Sequence, residues 1–221
     1  MDQKNIEMLA TRLMQLGCKP MVATQIAAHT CLGLPQFDLT HVDDYGEESC
    51  HVVVHCSKGE QGVYDALYYN VVLKRRPSVP EGMEELDRQM AAIDWLQVVV
   101  AKKDGIGYSI DELAPVASLL EQLSEVDLNG VIYYRYWAGT LLETLVPNLA
   151  FLKSQYELQQ RFYLTPNQVP ISFGEAYRFL QSRWMEKRFQ AERKLLLKKD
   201  RSSSGAGVGK KLLIKRKNIN S

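Results

Sequence analysis

Three consecutive segments between Gln36 and Arg75 alternate apolar and polar residues at a period of two, and no other feature limits the possible folds as much. QFDLTHV (36–42), SCHVVVHC (49–56) and VYDALYYNVVLKR (63–75) are rich in β-branched and aromatic residues. DDYGEE (43–48) and SKGEQG (57–62) are polar, glycine-containing stretches of hairpin-loop length. The spacing predicts a three-stranded antiparallel meander. Its middle strand places Cys50, Val52, Val54 and Cys56 inward and His51 and His55 on the opposite, solvated face.

That alternation also decides the chemistry of SCHVVVHCS, where two cysteines and two histidines invite a zinc reading. Ligand atoms on one tetrahedral zinc lie about 3 to 4 Å from each other. On a strand, His51 and His55 are separated by roughly 13 Å and Cys50 and Cys56 by about 20 Å, on opposite faces. No metal is expected there. His29 and His41 each stand without a Cys or Asp at ligand spacing and are read as structural.

Helical texture flanks the meander. Ile6, Leu9, Leu13 and Leu16 form the stripe of a first helix closed by Gly17. Pro20 opens a second that carries Val22, Ile26 and Leu32 and stops at Gly33 and Pro35. RRPSVPEG (75–82) breaks the chain. Beyond it, Met83, Leu86, Met90 and Ile93 make a stripe, DGIG (104–107) interrupts, and Ser109 with Glu112 forms a capping box before LAPVASLLEQL. Helices are then expected around 131–145 and 150–160, separated by Pro147, with core packing of Tyr133, Tyr134, Tyr136 and Trp137 continuing to Leu141. RFYLT (161–165) reads as a short strand. A second capping box, Ser172 and Glu175, opens a helix reaching about Lys199; RSSSGAGVG (201–209) has linker composition. The fold class is therefore α+β, divided as an α+β domain (1–75), a helical insertion (76–160), a strand with a long basic helix (161–200) and a flexible basic tail (201–221).

Charge is distributed unevenly. The 221 residues sum to +1, yet from Arg183 onward thirteen Lys or Arg face three acids, a net of +10 that leaves residues 1–182 at −9. Arg183, Lys187, Lys194, Lys198 and Arg201 fall at offsets 0, 4, 11, 15 and 18, and 18 residues are five whole turns, so one helix side carries them all. Lys210, Lys211, Lys215, Arg216 and Lys217 extend the block. Phe173, Ala176, Tyr177, Leu180 and Trp184 give the first half of this helix a packing stripe; the second half reads as a basic arm. Such an arm suits the phosphates of DNA or RNA, or a protein partner, or the acidic part of its own chain.

Other motifs fail on inspection. GAGVGKK (205–211) lacks the first glycine and the final hydroxyl of a phosphate loop, and no apolar strand precedes it, so no nucleotide cofactor is implied. Asp43, Asp44, Glu47 and Glu48 lack calcium-loop spacing. The N-terminus has no continuous apolar core of a signal peptide, and no apolar run approaches a membrane span. Cys18, Cys31, Cys50 and Cys56 are accordingly expected as reduced thiols of a cytoplasmic protein.

NIEMLATRLMQLGC, then FDLTHVDDYGEESCHVVVHCSKGEQGVYDALYYNVVL, and later RFYLTPNQVPISFGEAYRFLQSRWMEKRF follow one another in an order that resembles a domain-of-unknown-function family of conjugative transposons in Bacteroidetes-type bacteria. SKGEQGVYDALYYNVVL and ISFGEAYRFLQSRWMEK are similar to that family's strand and helix in order and character. The resemblance covers residues 1–75 and about 161–188, and the block 77–160 looks like an insertion. It implies a cytosolic accessory protein of a mobile element and carries over no catalytic residue.

Overall fold

Helix α1 (Gln3–Leu16) buries Leu9, Leu13 and Leu16 along the expected stripe. Gly17 ends it at φ 123°, and the Cys18 amide closes back on the Leu13 carbonyl at 3.0 Å. A positive φ is where glycine replaces other residues at a helix end. Helix α2 (Val22–Cys31) buries Val22 and Ile26 but stops before Leu32, which is exposed. Leu32 is therefore no part of the packing stripe: it keeps helical angles as the C-cap, φ −74° and ψ −6°, and at about 100° per residue it lies well round the helix from Val22 and Ile26. The computed structural model describes residues 3–95, 110–165 and 168–212, with side chains at 3–95, 114–165 and 168–196.

Strands β1 (Gln36–Asp44), β2 (Glu48–Lys58) and β3 (Tyr64–Arg75) form the predicted antiparallel meander. Cys50, Val52, Val54 and Cys56 are all buried, as the alternation required. The sheet has a fourth member, β4 (Glu157–Tyr163), antiparallel to β3 in the order β1-β2-β3-β4. ELQQ (157–160) thus belongs to a strand and not to the end of a helix. Its polar residues carry no period-two signal because an edge strand buries little; hydrogen bonding to the open side of β3 decides its conformation.

Asn5 ties α1 to the start of β3, donating from Nδ2 to the Tyr64 carbonyl (3.0 Å) and accepting from the Tyr64 amide (2.9 Å). Arg12 adds an ion pair with Asp65 at 2.7 Å.

Between β3 and β4 lies the helical block: α3 (Glu84–Ala91), α4 (Ile110–Val126), α5 (Val131–Trp137), a 3-10 turn (Glu143–Leu145) and α6 (Leu149–Tyr156). It has a core of its own in which Met90, Trp95, Leu123, Ile132, Tyr134, Trp137 and Leu152 are buried. Trp95 meets Trp137 edge-on at 5.4 Å between ring centroids. The expected continuation to Leu141 fails. The α5 helix ends at Trp137, Gly139 takes φ 82°, and Leu141 is exposed. The Ser109–Glu112 capping box lies outside the described side chains.

A different cap starts α5. Asp127 is buried, and its carboxylate accepts from the amides of Val131 (2.9 Å), Ile132 (2.8 Å) and Tyr133 (3.3 Å). These are the orphan donors of a helix start, and a carboxylate suits the positive end of the helix dipole.

Residues 171–221 form a second unit, separate from residues 1–170, which hold the sheet and the helical block together. Strand β4 therefore groups with the sheet and not with the long helix. That helix, α7, spans Phe173–Leu212. It continues through the Ser/Gly stretch 201–209 instead of ending near Lys199. Extending an existing helix needs no new nucleus, although each glycine disfavours it by about 1 kcal/mol relative to alanine. No helix among the described residues is long and apolar enough to cross a membrane.

Candidate functional site

The predicted basic face rests on α7, whose start is fixed by a reciprocal cap. The Ser172 amide donates to Glu175 Oε2 (2.8 Å) while the Glu175 amide donates to Ser172 Oγ (3.3 Å). Backbone and side-chain donation from Ser172 holds the Glu175 carboxyl below the usual range. Along the helix Arg183, Lys187 and Lys194 are exposed. Arg183 lies over the Phe179 ring at 5.9 Å and Lys187 over Trp184 at 5.6 Å, so aromatic faces orient both cations. Lys198, Arg201, Lys210 and Lys211 lie on the helix backbone with side chains outside those described; Lys215, Arg216 and Lys217 fall outside the described residues.

Apolar side chains share this helix. Met185, Phe189 and Leu196, at offsets 0, 4 and 11, are exposed by 66%, 67% and 62%. They lie on the side away from the cations. The sequence stripe ending at Trp184 did not include them.

All four cysteines are free thiols, and three are buried. Burial pushes Cys18 up to about 11; burial, then the Asp43 carboxylate, raises Cys50 to about 11; burial, then Asp38 and Asp65, raises Cys56 to about 12. Since the thiolate is the reactive form, only the exposed Cys31 is expected to react promptly with Ellman's reagent at mildly alkaline pH, the other three after unfolding in guanidinium. A second fast thiol in the native protein would contradict this burial.

The histidines of the middle strand take separate roles. His55 joins a polar row across the outer face of the sheet: its Nδ1 meets Asp38 at 2.6 Å, its Nε2 meets Asn70 Nδ2 at 2.8 Å, and Arg161 Nε donates to Asn70 Oδ1 at 3.0 Å. Arg161 also covers the Tyr68 ring at 4.1 Å. These groups satisfy one another, so the row fixes strand register. His55 is thus half-buried and bonded, not simply solvated. His29 stacks on Phe37 at 4.8 Å, and His41 lies 3.0 Å from Asp43. Among the described residues no three His, Cys, Asp or Glu side chains converge as a metal would require.

His51 faces a cleft that sequence reasoning missed, where the ends of β2 and β3 meet α5. The cavity is about 190 Å³, and its lining includes Ser49, His51, Lys74, Arg76, Tyr134 and Arg135 together with the acidic residues Asp44, Glu47 and Glu48. Glu48 is bound to Arg75 at 2.7 Å, and Arg135 to Asp87 at 2.9 Å. Tyr134 donates its hydroxyl to Glu157 at 2.7 Å, while burial and then that carboxylate raise the phenol well above its ordinary value. Ser49 Oγ lies 3.1 Å from His51 Nε2. Any Ser-x-His on a strand brings these side chains to one face, so the contact alone is no catalytic arrangement. Burial and then the Lys74 ammonium lower the His51 pKa, outweighing the opposite pull of Glu143. The only advance signal was the cationic run LKRR at the end of β3.

No family model, no curated protein and no solved structure matches this chain.

Proposed function

We propose that this is a non-catalytic, cytoplasmic accessory protein that binds nucleic acid, or a nucleoprotein complex, through the basic side of α7 and the chain beyond it. The observation that carries the reading is the row of exposed cations Arg183, Lys187 and Lys194 on one side of a continuous helix, in the part of the chain that bears +10. Cations one to several turns apart can follow a phosphate backbone, and counterion release then supplies sequence-independent affinity. The resemblance of residues 1–75 and about 161–188 supports a role in a mobile element.

Fluorescence anisotropy with labelled DNA and RNA tests it. The triple variant Arg183→Glu, Lys187→Glu, Lys194→Glu is expected to weaken binding at low salt and to flatten the log–log salt dependence by about one for each phosphate that the variant no longer neutralises. Truncation after Arg201, which removes Lys210, Lys211, Lys215, Arg216 and Lys217, is expected to do the same. Binding indifferent to salt, to charge reversal and to truncation would sink the proposal.

The exposed Met185, Phe189 and Leu196 favour a second reading, in which α7 docks its apolar stripe in a protein groove. Phe189→Ser separates the two: it leaves nucleic-acid affinity intact under the first and abolishes partner binding under the second.

A further inference from the structure

The cleft beside His51 contains two cations, Lys74 and Arg76, that make no side-chain hydrogen bond to a carboxylate among the described residues. Lys74 Nζ stands 3.9 Å from Glu157 Oε1, a loose ion pair beyond hydrogen-bond reach, while the same oxygen accepts from the Tyr134 hydroxyl. The Lys74 side chain is only 18% exposed and makes no hydrogen bond to the protein among the described residues. An ammonium has three donors, and leaving them unmet in a half-buried site is costly unless water or an anion accepts them. Two residues further on, Arg76 has no carboxylate within ion-pair distance among the described residues and lies over the Tyr136 ring at 5.4 Å.

Placement follows from strand register. Ser49 is the direct cross-strand partner of Lys74, and His51 lies two residues along β2 on the same face. A hydroxyl, an imidazole, an ammonium and a guanidinium thus line one cavity. Arg75, between the two cations in sequence, pairs with Glu48 at 2.7 Å.

We propose that this cleft binds a small dianion, the phosphate group of a phosphorylated small molecule or the free anion, with Lys74 and Arg76 supplying charge and Ser49 and His51 completing the donor set. A volume of about 190 Å³ admits a phosphate-sized group. Charge-assisted hydrogen bonds of this kind are the strong ones, and an ammonium plus a guanidinium match a phosphate's oxygens. The site is independent of the cations on α7.

The test follows the ring nitrogens of His51 by NMR in the full-length protein, titrated separately with sodium sulfate, inorganic phosphate and glycerol 3-phosphate. A saturable shift of the His51 signals at millimolar anion is expected. Sulfate, which does not titrate near neutrality, is expected to raise the His51 pKa, since an anion favours the imidazolium against Lys74 and adds to Glu143. His55, held by Asp38 and Asn70 on the same strand face, is expected to stay unchanged. Arg76→Gln, at an exposed position, is expected to weaken binding about tenfold, and Lys74→Met to weaken it at least as much. Tighter binding of glycerol 3-phosphate than of inorganic phosphate supports an esterified ligand, and equal binding supports the free anion. No saturable shift at His51, or a shift unaltered by Arg76→Gln, would overturn the proposal. Anion effects that persist there while charge reversal on α7 removes nucleic-acid binding would show that the two sites stand or fall separately.

Discussion

Gly130→Ala is expected to lower the melting temperature by about 10 °C, a large loss for a single methyl group. Gly130 precedes α5 at φ 73°, where a side chain costs about 1 to 2 kcal/mol. An added Cβ would also lie 2.4 Å from the Pro147 carbonyl oxygen. That clash cannot be relieved by a side-chain rotation, because the obstruction is backbone. It is held in place in turn by Asn148, itself at φ 53°, whose Nδ2 donates to the Leu128 carbonyl at 3.2 Å. Strain and overpacking together give about 3 to 5 kcal/mol. Gly46→Ala provides the comparison: its φ is 82°, but a Cβ there meets nothing within 4 Å, so it bears only the backbone cost of about 1 kcal/mol. Equal melting temperatures for the two variants, followed by circular dichroism, would show that Pro147 does not crowd Gly130.

The second large effect is expected in the sheet. Tyr69 is fully buried on β3 and stacks on Phe162 of β4, with centroids 5.2 Å apart and rings 17° from parallel. Tyr69→Ala is expected to cost about 3 to 5 kcal/mol in denaturant unfolding, as for other large aromatic truncations in cores. Tyr68 is adjacent in sequence but points to the half-exposed outer face, beneath Arg161. Tyr68→Ala should cost about 1 kcal/mol, the scale of a surface cation–π interaction. The contrast measures register directly, because a one-residue slip of β3 would exchange the two values. It also probes β4, which returns to the sheet only after the whole helical block and meets Tyr69 through Phe162.

These two positions differ in how well the sequence announced them. The alternation that buries Tyr69 was visible, since ALYYNVVL continues the period of two on either side of it. Nothing in LNGVIYYRY distinguished Gly130 from an ordinary loop glycine; its constraint comes from Pro147, seventeen positions later. Tyr133, Tyr134 and Trp137 were legible as core from their helical spacing, whereas Leu141 was not excluded until Gly139 turned the chain.

What the sequence determined alone was local: the alternation of β1 to β3, the stripe of α1, the Ser172–Glu175 cap and the basic row on α7. Each depends on residues within one or two turns or one strand, and such relations are written in spacing. What the tertiary structure decided was long-range: that polar ELQQ completes the sheet, and that Ser49, His51, Lys74 and Arg76 line one cleft against α5. Those outcomes depend on which strand edge is left open and on which carboxylate the fold sets beside which cation. Glu157 accepts from Tyr134 and lies 3.9 Å from Lys74, Glu48 pairs with Arg75, and Lys74 lines the cavity.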